Sequence, residues 1–137
     1  MFRRLLIANR GEIAIRVART AREMGIRCIG IHSQADRDAL HRRTMDESVE
    51  VGRPLPAQSY LNIEAILRAA KETRAEAVHP GYGFLSENPG FARRCEEEGI
   101  TFVGPPAKAM ALSGEKIASR TAMREAGLPI TAGVDRV

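Results

Sequence analysis

Short apolar runs alternate with stretches of helical period along the whole chain. Residues 4–9 (RLLIAN) form a first run that stops before Gly11, after which Ile13, Val17, Ala21 and Met24 recur at helical spacing. Gly25 ends that helix, and residues 27–33 (RCIGIHS) make the next apolar run. Strand, helix, strand in so short a span is a βαβ unit, which requires a parallel pair and a right-handed crossover. The pattern then predicts a short polar helix over 39–45, a small strand over 48–51 and a loop over 52–58. A longer helix follows over 62–74, with Asn62 as its cap and Ile63, Ile66, Leu67 and Ala70 on one face. Residues 76–79 form a further strand. Asn88-Pro89 opens another helix, because asparagine caps well and proline suits the first helical position; Phe91, Ala92 and Cys95 are its apolar positions. A strand over 100–104, a short helix over 107–113 and a longer one over 115–127, ended by Gly127 and Pro129, complete the pattern. Strands alternating with helices predict a three-layer α/β/α sandwich with a mostly parallel sheet. The tail, ITAGVDRV, reads as the start of an element that the sequence does not finish.

The segment over 79–88, HPGYGFLSEN, joins a short strand to a helix through a proline and two glycines, and carries an aromatic, a hydroxyl, a carboxylate and an amide. In an alternating β/α chain, the segment leaving the C-terminal end of a strand is where ligands are met. It is therefore the first candidate site. The turn after the first strand, Asn9-Arg10-Gly11-Glu12, superficially resembles a dinucleotide fingerprint. It has one of the three glycines required, and Glu12 would repel a pyrophosphate, so dinucleotide binding is not expected there. Gly11 reads as a tight turn that lets the first helix pack on the sheet, and Asn9 and Arg10 as supports at the ligand-bearing edge.

Composition narrows the class. A chain of 137 residues, 44% hydrophobic and 28% charged, has the length and balance of one globular domain. No apolar run approaches the ~20 residues of a membrane span, and no export or transit signal is visible at the N-terminus. Cys28 and Cys95 have no metal-like spacing to histidines and read as buried thiols in a reducing, cytoplasmic setting. The net charge of +4 is scattered among acids, without the basic stripe or aromatic platform of a nucleic-acid binder.

Charge position adds two candidates. On the first helix Ile15, Arg16, Arg19, Arg22 and Glu23 fall opposite the apolar stripe, so an isoleucine stands among charges. That face is either solvated or a symmetric dimer contact made by Ile15, Arg16, Arg19 and Glu23. In Ser113-Gly114-Glu115-Lys116, Ser113 reads as a helix cap, which sets the Lys116 cation in a first turn where the helix dipole disfavours it. Lys116 is either a phosphate ligand or a plain surface residue; Lys71 and Lys108 read as surface residues. His32, His41 and His79 lack partners at catalytic spacing, and His79 reads as structural. No paired acids, nucleophile elbow or metal cluster is visible, so no catalytic residue and no metal ligand is assigned within the chain.

The phrases IANRGEIAIRV, HSQADRDALH, SYLNIEAI, HPGYGFLSENPGFA, FVGP and SGEK, in this order, resemble the N-terminal domain of biotin carboxylase over essentially all of the chain. The resemblance implies a Rossmann-like pre-ATP-grasp domain over residues 1–115, with 116–137 leading into an ATP-grasp domain. It implies an ATP-dependent ligase that uses MgATP and bicarbonate to carboxylate biotin on a carrier protein, working with a carboxyltransferase subunit or domain that passes the group to an acyl-CoA or pyruvate. Lys116 matches an ATP-binding lysine, and the face with Arg16, Arg19 and Glu23 matches a dimerisation region. Tyr82, Gly83 and Glu87 would line the pocket where biotin and bicarbonate meet, with Ser86 supporting the turn. The remaining nucleotide, magnesium, bicarbonate and biotin ligands would lie beyond Val137, so the isolated chain is expected to be inactive. A non-catalytic dimerisation or assembly module of a carboxylase complex is the alternative.

Overall fold

A computed structural model describes residues 1–114 and 116–131; at Lys116 and Ala118 only the backbone is described. The end of the tail, residues 132–137, where a further element was expected to begin, lies outside the described residues. Five strands, β1 (Arg4–Ile7), β2 (Arg27–Ser33), β3 (Glu47–Gly52), β4 (Ala77–His79) and β5 (Thr101–Phe102), form one sheet in the order β3-β2-β1-β4-β5. Every neighbouring pair is parallel, with Leu6 opposite Ile29 and Val78, so the mostly parallel expectation becomes an all-parallel sheet.

Both faces of the central strands are buried, which explains why they read as continuous apolar runs rather than alternating ones. On one face Leu5, Ile7, Cys28 and Ala77 pack on Ala14, Ala18 and Ala21 of helix α1 (Gly11–Glu23). On the other, Leu6, Ile29, Ile31 and Val78 pack on Ile66, Leu67 and Ala70 of α3 (Ile63–Glu72) and on Phe91 and Cys95 of α4 (Pro89–Glu97). This is the expected three-layer sandwich. The sheet order reverses direction at β1, and right-handed crossovers on either side of that reversal require helices on opposite faces.

Local signals set the ends. The Asn62 and Asn88 side chains accept from the amides of Ala65 and Phe91 at 3.1 and 3.0 Å, capping α3 and α4 as expected. At the end of α1, the Ile26 amide donates to Ala21 and the Gly25 amide to Arg22, with Gly25 at φ 74°. This pairing closes the last turn and needs a left-handed residue.

Four readings are corrected. Met24 is not on the buried stripe but 57% exposed, because it follows the last helical residue, and Val17 is only half-buried; alanines carry the α1 core instead. Ile15 is half-buried rather than standing free among charges. His41, expected in a polar helix, is 2% exposed within the short α2 (Leu40–Arg43), with Nε2 at 3.2 Å from the Ile31 carbonyl oxygen. Ser113 is itself helical rather than flanking a helix. It lies inside α5 (Ala107–Gly114) and donates to the Met110 carbonyl at 3.1 Å, a bond back into the preceding turn. Helix α6 (Lys116–Glu125) then runs to the turn at Gly127.

Candidate functional site at the strand-order reversal

β1 and β4 lie side by side, and their last shared bond runs from the Ala8 amide to the His79 carbonyl at 2.9 Å. Beyond it the two chains part, one toward α1 and the other toward α4. The crevice so opened is where α/β sheets receive ligands. It places the HPGYGFLSEN segment next to Asn9-Arg10-Gly11-Glu12.

Asn9 ties the two together. Its side-chain amide donates to the carbonyls of Pro80 at 2.7 Å and Tyr82 at 2.8 Å, and its oxygen accepts from the Arg10 amide at 2.9 Å. A Cβ built on Gly81 would stand 2.8 Å from Asn9 Nδ2, and Gly81 has φ 68°, so only glycine fits beside this bridge. The Gly81 amide donates to His79 Nδ1 at 3.0 Å, which leaves the proton of the neutral ring on Nε2. Burial pushes the His79 pKa down, keeping it the neutral acceptor that bond requires. The structural role expected of His79 is thus a bond to the turn.

Tyr82 and Gly83 are exposed and, with Asn9, Arg10, Glu12 and Phe84, line a cleft of about 380 Å³. The Tyr82 hydroxyl donates to Glu12 Oε1 at 2.7 Å, a bond that raises the Tyr82 pKa. Glu87 does not share this cleft. It lies on the far side of the segment and lines, with Ser86, Pro105, Met110, Ser113 and Gly114, a second cleft of about 330 Å³ beside the end of α5. Glu87 and the pair Tyr82 and Gly83 thus line different clefts. The Lys116 side chain lies outside the described residues, although its backbone opens α6 next to that second cleft's Gly114 wall.

Arg10, read from the sequence as a support at this edge, has two partners behind the loop that sequence reasoning missed, Asp36 and Tyr60. The Arg10 guanidinium donates to Asp36 through Nε at 2.8 Å and Nη2 at 2.5 Å, and the Tyr60 hydroxyl donates to the same carboxylate at 2.6 Å. These donors, Arg10 first, hold the Asp36 pKa down to about 2. Burial, and then the bond to Asp36, push the Tyr60 phenol up to about 12. The one local signal was Ser33, which donates to Asp36 at 3.2 Å from the end of β2. Among the described residues no three His, Cys, Asp or Glu side chains gather as a metal site.

Residues 1–110 match the family described as biotin carboxylase, N-terminal domain. The chain belongs to that family. It is 50% identical over 135 residues to a biotin carboxylase of Halalkalibacterium halodurans, covering 98% of this chain and 30% of that protein. A biotin carboxylase from Campylobacter jejuni, solved as a β,γ-ATP complex, is 45% identical with a TM-score of 0.94, over 98% of this chain and 30% of that one. The biotin carboxylase domain dimer of Hydrogenobacter thermophilus 2-oxoglutarate carboxylase, solved with MgADP, ADP and bicarbonate, is 48% identical with a TM-score of 0.93, over 98% of this chain and 30% of that one. This biotin carboxylase N-terminal domain thus spans less than a third of the length of such relatives. No helix among its described residues is long and apolar enough to cross a membrane.

Proposed function

We propose that this domain forms one wall of the active site of a biotin carboxylase, in which MgATP and bicarbonate carboxylate biotin carried on a carrier protein, for delivery by a carboxyltransferase to an acyl-CoA or keto acid. The observation that carries this reading is the loop at the strand-order reversal, bridged by Asn9 and holding Tyr82 and Gly83 at the mouth of a cleft. The nucleotide and bicarbonate named with the related structures support the substrate class.

Within the reading, Tyr82 and Gly83 face biotin and bicarbonate, and glycine lets a ligand approach the backbone closely. Glu87 faces the second cleft. Lys116, at the opening of α6, supplies a cation to ATP phosphate oxygens. We place the metal ligands and the groups that move protons in a region following the domain, with the boundary near residues 115–116. The exposed face of α1, with Arg16, Arg19 and Glu23, meets a second copy.

The 137-residue chain by itself is expected to show no ATP turnover dependent on both bicarbonate and biotin; steady turnover by the purified chain would overturn the division of labour. In a complete carboxylase bearing this domain, Tyr82→Ala raises KM for biotin and Lys116→Gln raises KM for ATP, each by about tenfold or more, the scale of one charge-assisted or well-placed contact. Unchanged KM values for both would reject the assignment.

A further inference from the structure

Asp36 touches neither cleft, yet four side-chain hydrogen bonds converge on its carboxylate. Arg10 donates twice, at 2.8 and 2.5 Å, Tyr60 at 2.6 Å and Ser33 at 3.2 Å. An ionised carboxylate has acceptor sites for all of them, whereas an amide has one oxygen and presents an NH₂ to the remaining donors.

What the carboxylate fixes lies one layer away. The Tyr60 hydroxyl also accepts from the Ser33 amide at 3.0 Å, so the polar end of this buried ring is locked by both its bonds. Its ring is stacked on Phe84, with centroids 5.1 Å apart and planes 18° from parallel, and the Arg10 guanidinium carbon stands 5.8 Å from the Tyr60 centroid. Phe84 has φ 39°, a left-handed conformation that is strained for a non-glycine residue and persists only where the surroundings hold it. Phe84 lies between Gly83 and Leu85, within the loop that carries Tyr82 and Glu87. On its other side Asp36 grips Arg10, whose neighbour Asn9 holds the Pro80 and Tyr82 carbonyls. One carboxylate thus braces both walls of the cleft.

We propose that Asp36 is a positioning residue for this site: through Tyr60 and Phe84, and through Arg10, it sets the backbone of residues 82–84 and so the placement of Tyr82. The proposal rests on the reading of the loop as the biotin and bicarbonate wall, and it gives the strained Phe84 a purpose. A shift of about 1 Å in such a wall is enough to cost about a hundredfold in rate.

The test uses Asp36→Asn, which keeps the shape, and Tyr60→Phe, which keeps the stacked ring but loses both hydroxyl bonds. Amide hydrogen exchange in the 137-residue chain is expected to speed up at Gly81, Ser86 and Asn88 by about tenfold or more in Asp36→Asn and by less in Tyr60→Phe, while the sheet amides of Leu6 and Ile29 keep their rates. Loop rates unchanged in both variants, or loop and sheet rates rising by one common factor in both, overturn the proposal. In a complete carboxylase, Asp36→Asn is expected to raise KM for biotin about tenfold and leave KM for ATP unchanged. Tyr82→Ala, assayed alongside, separates the two ideas. If Tyr82→Ala raises KM for biotin and Asp36→Asn does not, the positioning role fails. If Tyr82→Ala is silent while the loop exchange responds to Asp36→Asn, the positioning role stands and the biotin wall fails.

Discussion

Asp36 also carries a stability consequence. Its folded pKa is about 2 against an ordinary 3.8. The carboxylate therefore contributes stability that is fully present above the ordinary value and is lost as pH falls through that window, by about 2 kcal/mol in total. Asp36→Asn is expected to cost at least that much at pH 7, since the donors are left facing an amide, and to flatten the acid limb of the stability curve between about pH 4 and 2. Urea titrations at several pH values read both; an unchanged acid limb would contradict the assignment. The two helix caps are the opposite case in legibility. Asn62 and Asn88 bond amides three residues on, so sequence spacing alone identifies them. Asp36 bonds partners 26 and 24 residues away on other elements, and no local pattern announces such a meeting.

At the scale of elements, helix ends were largely readable and helix faces less so. α1, α3, α4 and α6 all end in the same paired bonds, closing at Gly25, Arg74, Gly99 and Gly127. Three of these positions are glycine, and Arg74 holds φ 53° without one. Arg74→Gly is expected to stabilise the fold by about 1 kcal/mol or somewhat less, relieving the left-handed strain against the extra flexibility of unfolded glycine, as read by the urea midpoint. A lower midpoint would show that Arg74 makes compensating contacts. At the β4 end, a His79 held neutral below its ordinary pKa loses ground as pH falls below 6.5, because the unfolded ring takes up a proton that the folded ring resists. Exchange of the Gly81 amide is expected to accelerate between pH 6.5 and the lowered value, since a protonated Nδ1 cannot accept its bond; a rate following only the intrinsic pH trend would argue against it. Ser113 shows why caps mislead when read alone. Serine also bonds back into the preceding turn, and α5 continues past it to Gly114.

For the whole molecule, the α1 layer is the uneven one. Beside it, Phe2, Leu5, Ile13, Val17 and Val103 line an apolar groove of about 410 Å³ whose rim includes Arg16 and Met24. Arg16, one of the charges proposed for the dimer contact, thus adjoins apolar surface. Arg19→Glu is expected to shift the complete carboxylase from dimer to monomer in sedimentation velocity, and an unaltered sedimentation coefficient would remove α1 from the interface.

The alternation of strand and helix, the asparagine and glycine punctuation and the position of the HPGYGFLSEN segment at a strand end were determined by the sequence alone, because period, capping and turn chemistry act over a few residues; the family was legible there through the resemblance of whole phrases. The neighbours of each strand were not. Only the folded sheet sets β4 beside β1, brings Asn9 against Pro80 and Tyr82, puts Glu87 in a different cleft from Tyr82 and Gly83, and gathers Arg10, Asp36, Tyr60 and Phe84 behind the loop. Those meetings depend on which distant segments share a sheet edge, and pairings at that range are decided by the burial of both sheet faces together rather than by any local pattern.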